Sequence, residues 1–182
     1  MKSRNITLIL IGILFCVTDI SAQARLYDTL PRTFNEQGFA YVAFDLGGMV
    51  SLRNRDNRWI GVQEVNRDGT FVPYRGAPTP LQPNTATQMR QQALTIINNA
   101  FTPAERQRFR GTRLEVVLYI DPTTGRVDDV EFVFDRQLGF ATIPVATYRR
   151  IELELKNRIQ FVVTAEGRRR NFLSTRVRFE VP

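Results

Sequence analysis

The chain has 182 residues and no histidine. That absence removes the commonest general base, the base of a serine triad and the commonest metal ligand together. The only cysteine, Cys16, lies in an N-terminal apolar run. The body of the chain therefore has no thiolate nucleophile, disulfide or cysteine zinc site. No Gly-x-Gly-x-x-Gly or Walker-type loop occurs, and Gly47-Gly48 by itself reads as a bend. There is one tryptophan, Trp59, which either fills a core or stacks on a sugar, the core being the simpler role. The apolar run at residues 6–17 holds 12 residues, against the roughly 20 that a membrane span requires.

That run belongs to a targeting segment. Lys2 and Arg4 form a charged start, the apolar stretch follows, and Ala22-Gln23-Ala24 supplies a small-x-small cleavage pattern. Phe15 is too bulky to precede a lipidated Cys16, so residues 1–24 are expected to be a signal peptide removed on export. Cleavage there leaves 158 residues with a net charge of +6, enough for one domain with a real core. Lys156 is the only lysine after the leader, and the other cations are arginines. Arginine forks suit anions, including an anionic glycan. However, acids are interspersed from Arg25 to Arg178, which is the pattern of a solvated surface. Export makes nucleic acid an unsuitable partner.

Residues 113–135 organise the rest. Leu114, Val116, Leu118 and Ile120 alternate with Glu115, Val117 and Tyr119, the period of a half-buried strand. Asp121-Pro122-Thr123-Thr124-Gly125 turns the chain, and Val130, Phe132 and Phe134 resume the alternation. Upstream, residues 39–46, 49–52, 59–65 and 70–72 read as the short strands of a β-meander. Pro73, Pro78, Pro80 and Pro83, with Gly76, mark an extended connector. Residues 85–101 carry a helical apolar stripe, and Thr102-Pro103-Ala104-Glu105 opens a short second helix with a capping box. A further helix presents Val145, Tyr148, Ile151, Leu155 and Ile159. Residues 172–181 then alternate as a last strand.

The expected organisation is a signal peptide at 1–24, a β-rich segment and connector at 25–83, and an α+β domain at 84–182. In that domain an antiparallel three-stranded sheet of order 2-1-3 is covered by two helices in two layers, with the small meander preceding it. This layout resembles the C-terminal domain of TonB and its relatives. The matching positions are Ile120, Asp121, Gly125, Val127 and Val130, with the closing strand at Val177–Val181. The Tyr-Pro pair near the first helix and the Pro-Ala after the second are missing, and 161–163 reads Phe-Val-Val. The resemblance implies a fold and a mode of binding, not energy transduction, because TonB is tethered in the inner membrane whereas this chain is expected to carry only a cleavable signal. The layout also resembles small exported domains of unknown role from gut Bacteroides-type bacteria.

The remaining chemistry is sparse. Asp128 and Asp129 point to opposite faces of a strand, whereas Asp129 and Glu131 share one, where pairing with Arg126, Arg176 or Arg178 accounts for them. Asp121 serves its turn, since one carboxylate falls far short of the roughly 6–8 oxygens that calcium takes. Arg168-Arg169-Arg170 reads as a solvated loop more than an anion site. No catalytic residue, cofactor or metal is expected. The function expected is that of an exported, non-enzymatic binding or adaptor protein of the envelope. Its last strand, through Phe172, Ser174, Arg176 and Arg178, would take a strand from an envelope protein or a second copy of itself. The same edge could instead be filled by residues 39–46. The alternative is a carbohydrate- or envelope-surface-binding accessory protein using Trp59, Tyr41, Tyr74 and scattered arginines.

Overall fold

The computed structural model describes residues 26–36, 38–73 and 79–181. Residues 1–24, expected to be a signal peptide, and part of the proline-rich connector lie outside the described residues. Three strands come first: β1 (Arg32–Glu36), β2 (Phe39–Asp45) and β3 (Met49–Asn54). Then follow α1 (Pro83–Asn99), α2 (Pro103–Arg108), β4 (Arg113–Ile120), β5 (Val127–Asp135), α3 (Val145–Arg158) and β6 (Leu173–Glu180). Single 3-10 turns at Gly139–Thr142 and Gly167–Arg169 flank α3.

All six strands form one antiparallel sheet in the order β1-β2-β3-β5-β4-β6. The expected three-stranded sheet with two helices is thereby overturned, although the class is still α+β. The early strands are not a separate meander: β3 pairs with β5, setting Val50 opposite Phe134 and Leu52 opposite Phe132. The reason is physical. Alternation specifies which face of β5 is apolar, but the backbone groups on its free side also need partners, and β3 satisfies them. Residues 59–65 are turns and irregular chain instead of a strand, with isolated bridges only at Val65–Phe71 and Asn66–Arg170.

Local signals explain the helices. Pro83 stands in the first turn of α1, where its missing N–H costs nothing. Thr102 accepts a bond from the Glu105 N–H while the Glu105 side chain bonds back to the Thr102 backbone, closing the capping box of α2. The apolar residues buried on α1 and α3 belong to one core, packed against Leu114, Val116, Phe132 and Val177. Phe101, Phe109, Phe140 and Phe179 stack at its end. Burying each such side chain is worth roughly 1.5–3 kcal/mol. The other face of the sheet holds a smaller cluster in which Val117, Tyr119 and Phe172 lie under Trp59 and Ile60.

Candidate functional site

β6 is an edge strand. Its pairing with β4 runs from Arg113–Glu180 to Ile120–Leu173. Leu173, Thr175, Val177 and Phe179 are buried, whereas Ser174, Arg176, Arg178 and Glu180 are exposed. Residues 39–46 do not cover this edge, because β2 lies at the far end of the sheet. Among the described residues, no backbone hydrogen bond outside the strand pairing reaches residues 173–180.

Just before β6, a strap of residues 65–67 lies beside residues 169–171, next to the turn that joins β4 to β5. The Asn171 N–H donates to the Val65 carbonyl at 2.9 Å, and the Arg67 N–H donates to the Arg169 carbonyl at 2.7 Å. Asn66 and Arg170 bridge antiparallel. Side chains lock this strap: Arg170 Nη1 lies 2.5 Å from Glu64 Oε1, and Arg67 Nε donates to the Arg170 carbonyl at 3.2 Å. The strap thus closes the end of the sheet where β4 turns into β5, and the Ser174 hydroxyl donates to Glu64 Oε2 at 3.4 Å.

The open part is positively charged on the outer face. Arg176 Nη1 is 2.9 Å from Glu115 Oε1 and Arg178 Nε is 3.7 Å from Glu115 Oε2, so one carboxylate serves two guanidiniums. Both arginine side chains are about two-thirds exposed, and exposed pairs of this kind are worth less than about 1 kcal/mol. Two cavities lie along the edge. One of about 400 Å³ sits beside Ser174 and Thr175, lined by Leu81, Pro83, Ala86 and Arg90. There Arg90 Nε donates to Thr175 Oγ1 at 3.2 Å. The other, about 360 Å³, lies at Val181 between Asn98, Arg106 and Arg110.

Of the four residues expected to contact a partner, Arg176 and Arg178 are exposed and Ser174 leans on Glu64. Phe172 is different: it is only 3% exposed, its ring 4.8 Å from Trp59 and 5.8 Å from Tyr119. It is a packing residue of the outer face and not a surface that a partner strand can touch. Trp59 is held there by Nε1 donating to Asp128 Oδ2 at 2.8 Å, with the Arg58 guanidinium 4.5 Å above its ring. Tyr41 is fully buried and unavailable to a glycan, and Tyr74 lies outside the described residues.

Asp129 and Glu131 do not converge. The strand register shifts between Tyr119 and Ile120. Asp129 meets Lys156 of α3 at 3.5 Å, while Glu131 accepts from Ser51 and, at 3.0 Å, from Tyr119. Neither pairs with Arg176 or Arg178, which turn to Glu115. Asp121 accepts from the N–H groups of Thr123 and Thr124 at 2.8 and 2.7 Å, ordering its turn. The arginine run divides: Arg170 is buried, and Arg169 pairs with Glu166.

Sequence reasoning missed Glu152. Its side chain is fully buried, accepts from the Tyr41 hydroxyl, and lies 3.2 Å from Arg149 and 3.5 Å from Lys156. Burial pushes its pKa up to about 7, with Lys156 opposing the rise. The available signal was its place on the stripe Tyr148–Glu152–Leu155–Ile159, at spacings of four and three. A carboxylate sealed from solvent cannot meet a substrate. It ties α3 to β2 and, through Lys156, to β5.

The model of a family described as a domain of unknown function, DUF5043, matches residues 23–176. The chain belongs to the DUF5043 family. This DUF5043 chain is similar to the crystal structure of a DUF5043 family protein from Bacteroides uniformis ATCC 8492. The identity is 29%, the match covers 84% of this chain and 91% of that one, and the TM-score is 0.74. No curated protein matches. The family shown is DUF5043, and the likeness to TonB is not confirmed by it.

Proposed function

We propose that this DUF5043 protein is an exported, non-enzymatic binding or adaptor protein of the cell envelope that takes an extended segment onto β6 by β-augmentation. The observation carrying this reading is the open outer edge of β6. β6 pairs on one side only, with β4, and among the described residues no other backbone hydrogen bond reaches residues 173–180. Unpaired strand edges are natural templates for another strand, and main-chain bonding along such an edge supplies affinity while side chains supply selection. The resemblance of residues 113–135 and 172–181 to TonB relatives supports the same mode of binding. Export rests on the order of charge, apolar run and cleavage pattern at the N-terminus. No helix of the described residues is long and apolar enough to cross a membrane.

The test has two parts. The form released from cells should begin after Ala24; retention of the full chain in the cytoplasm would remove the export claim. The mature protein should then be used to capture a partner from envelope extract, and amide exchange measured with and without that purified partner. Slowed exchange within residues 173–180 is expected. A partner that binds tightly while those amides exchange as before overturns edge capture.

A further inference from the structure

We infer that the segment taken by β6 is acidic and comes from a different protein, not from a second copy of this chain. The inference rests on the edge-capture reading and names the partner's chemistry.

The charges around the open edge are one-sided. Arg176 and Arg178 share the single carboxylate of Glu115. Glu180, the only acid on β6, is already 2.6 Å from Arg113. Arg90 borders the cavity at Thr175, and Arg106 and Arg110 border the cavity at Val181. Arg106 Nη1 donates to the carbonyls of Asn98 and Phe101, while the acid beside it in α2, Glu105, is engaged in the capping box. Glu64 is the acid nearest the start of the open stretch, and it is held by Arg170. A strand entering here meets a surplus of guanidinium groups, whose forks suit carboxylates.

The geometry of an added strand makes this more specific. It would lie about 4.8 Å from β6, with alternate side chains facing opposite sides. One row stands beside Arg176 and Arg178, two residues apart, and calls for Asp or Glu at both places. The other row lies on the helix side, over the two cavities. Thr175 and Val181 are six residues apart, which is about 20 Å of extended chain. The fitting segment is therefore seven or eight residues long. It is acidic at successive outward positions, with side chains that fill the cavities at its two inward ends.

A second copy fits poorly. Antiparallel registers that would use the whole of β6 are centred on Arg176 or Val177. The first sets Arg176 directly against Arg176 of the other copy; the second sets it against Arg178 of the other copy. Like charges directly opposite destabilise a strand pair.

The inference is tested on the mature protein with three acetylated, amidated ten-residue peptides that share alternating valine and threonine positions. Their outward positions are all glutamate, all serine or all lysine. The glutamate peptide should bind at least about tenfold more tightly than the serine peptide, the lysine peptide should bind least, and the preference should fall with salt. Amide exchange should slow within residues 173–180. Replacing both arginines, Arg176→Glu with Arg178→Glu, should reverse the order of the glutamate and lysine peptides while leaving the unfolding midpoint near that of wild type. If the three peptides slow the edge amides equally, the acidic preference is overturned and edge capture stands. If none slows them, both readings fall. Sedimentation showing a dimer whose residues 173–180 are protected without peptide assigns the edge to a second copy and overturns the inference.

Discussion

Asn171 holds Val65 from two directions. Its backbone N–H donates to the Val65 carbonyl at 2.9 Å, and its side-chain Oδ1 accepts from the Val65 N–H at 3.1 Å. Its Nδ2 also donates to the Gln63 carbonyl at 2.9 Å. One side chain thus extends the backbone pairing by which the strap is held to residues 169–171.

Replacing Asn171 by alanine removes two of these bonds and leaves the backbone one. The expected loss is about 1–2 kcal/mol, concentrated in the strap. Amides of residues 63–67 should exchange faster while those of β4 and β5 keep their protection. Unchanged exchange in the strap would show that the side chain does not hold it.

Phe172→Ala should cost about 3 kcal/mol, because it empties the centre of the small outer-face cluster. The readout is unusually clean, since Trp59 is the only tryptophan and stacks directly on Phe172. Its emission should move to the red as water reaches the ring. A variant with wild-type stability and emission would contradict the packing role.

Gly125 sits at φ +73°, and a Cβ there would fall 2.0 Å from the Phe161 carbonyl oxygen. That approach is fixed by the Phe161 N–H donating to the Gly125 carbonyl at 2.8 Å. Alanine therefore meets both a left-handed backbone and another main chain. Gly125→Ala should lose more than about 3 kcal/mol in urea unfolding, whereas Gly69→Ala, at φ +84° with open space around it, should lose only about 1 kcal/mol. Equal losses at the two sites would remove the steric part of the explanation.

Glu152 makes stability depend on pH. Its carboxyl rises from an ordinary value of 4.5 to about 7 in the folded state, so the folded protein binds that proton more tightly than the unfolded chain. The contribution is complete below about pH 4.5 and is lost as pH rises through about 7. A shift of this size is worth on the order of 3 kcal/mol. Asp129, raised by burial despite Lys156, adds a slope of the same sign, and no histidine is present to obscure it. Urea midpoints should fall between pH 5 and pH 8. Glu152→Gln should flatten most of that slope and match or exceed wild type at pH 8. A flat wild-type profile would sink the assignment.

The sequence by itself determined the local geometry. Alternation in Leu114–Ile120, in Val130–Phe134 and through β6 identified strands and their apolar faces, because side chains change sides at every residue. Asp121 and Gly125 marked the turn, and Thr102 with Glu105 marked the start of α2, because those side chains bond their own neighbouring backbone. Only the tertiary structure decided which strands meet. Backbone N–H and C=O groups are alike in every residue, so nothing in residues 49–54 announces that they pair with β5, and nothing in residues 39–46 announces that they leave the β6 edge uncovered. Phe172 and Glu152 were hidden for a related reason. Phe172 sits on the polar row of its strand and is buried only because residues 59–60 fold over it. Glu152 sits on the apolar stripe of α3 and is tolerated only because Tyr41, Arg149 and Lys156 converge on it from β2 and from its own helix. Local chemistry sets what each segment can become, and contacts between distant segments settle which of its surfaces remain free to bind.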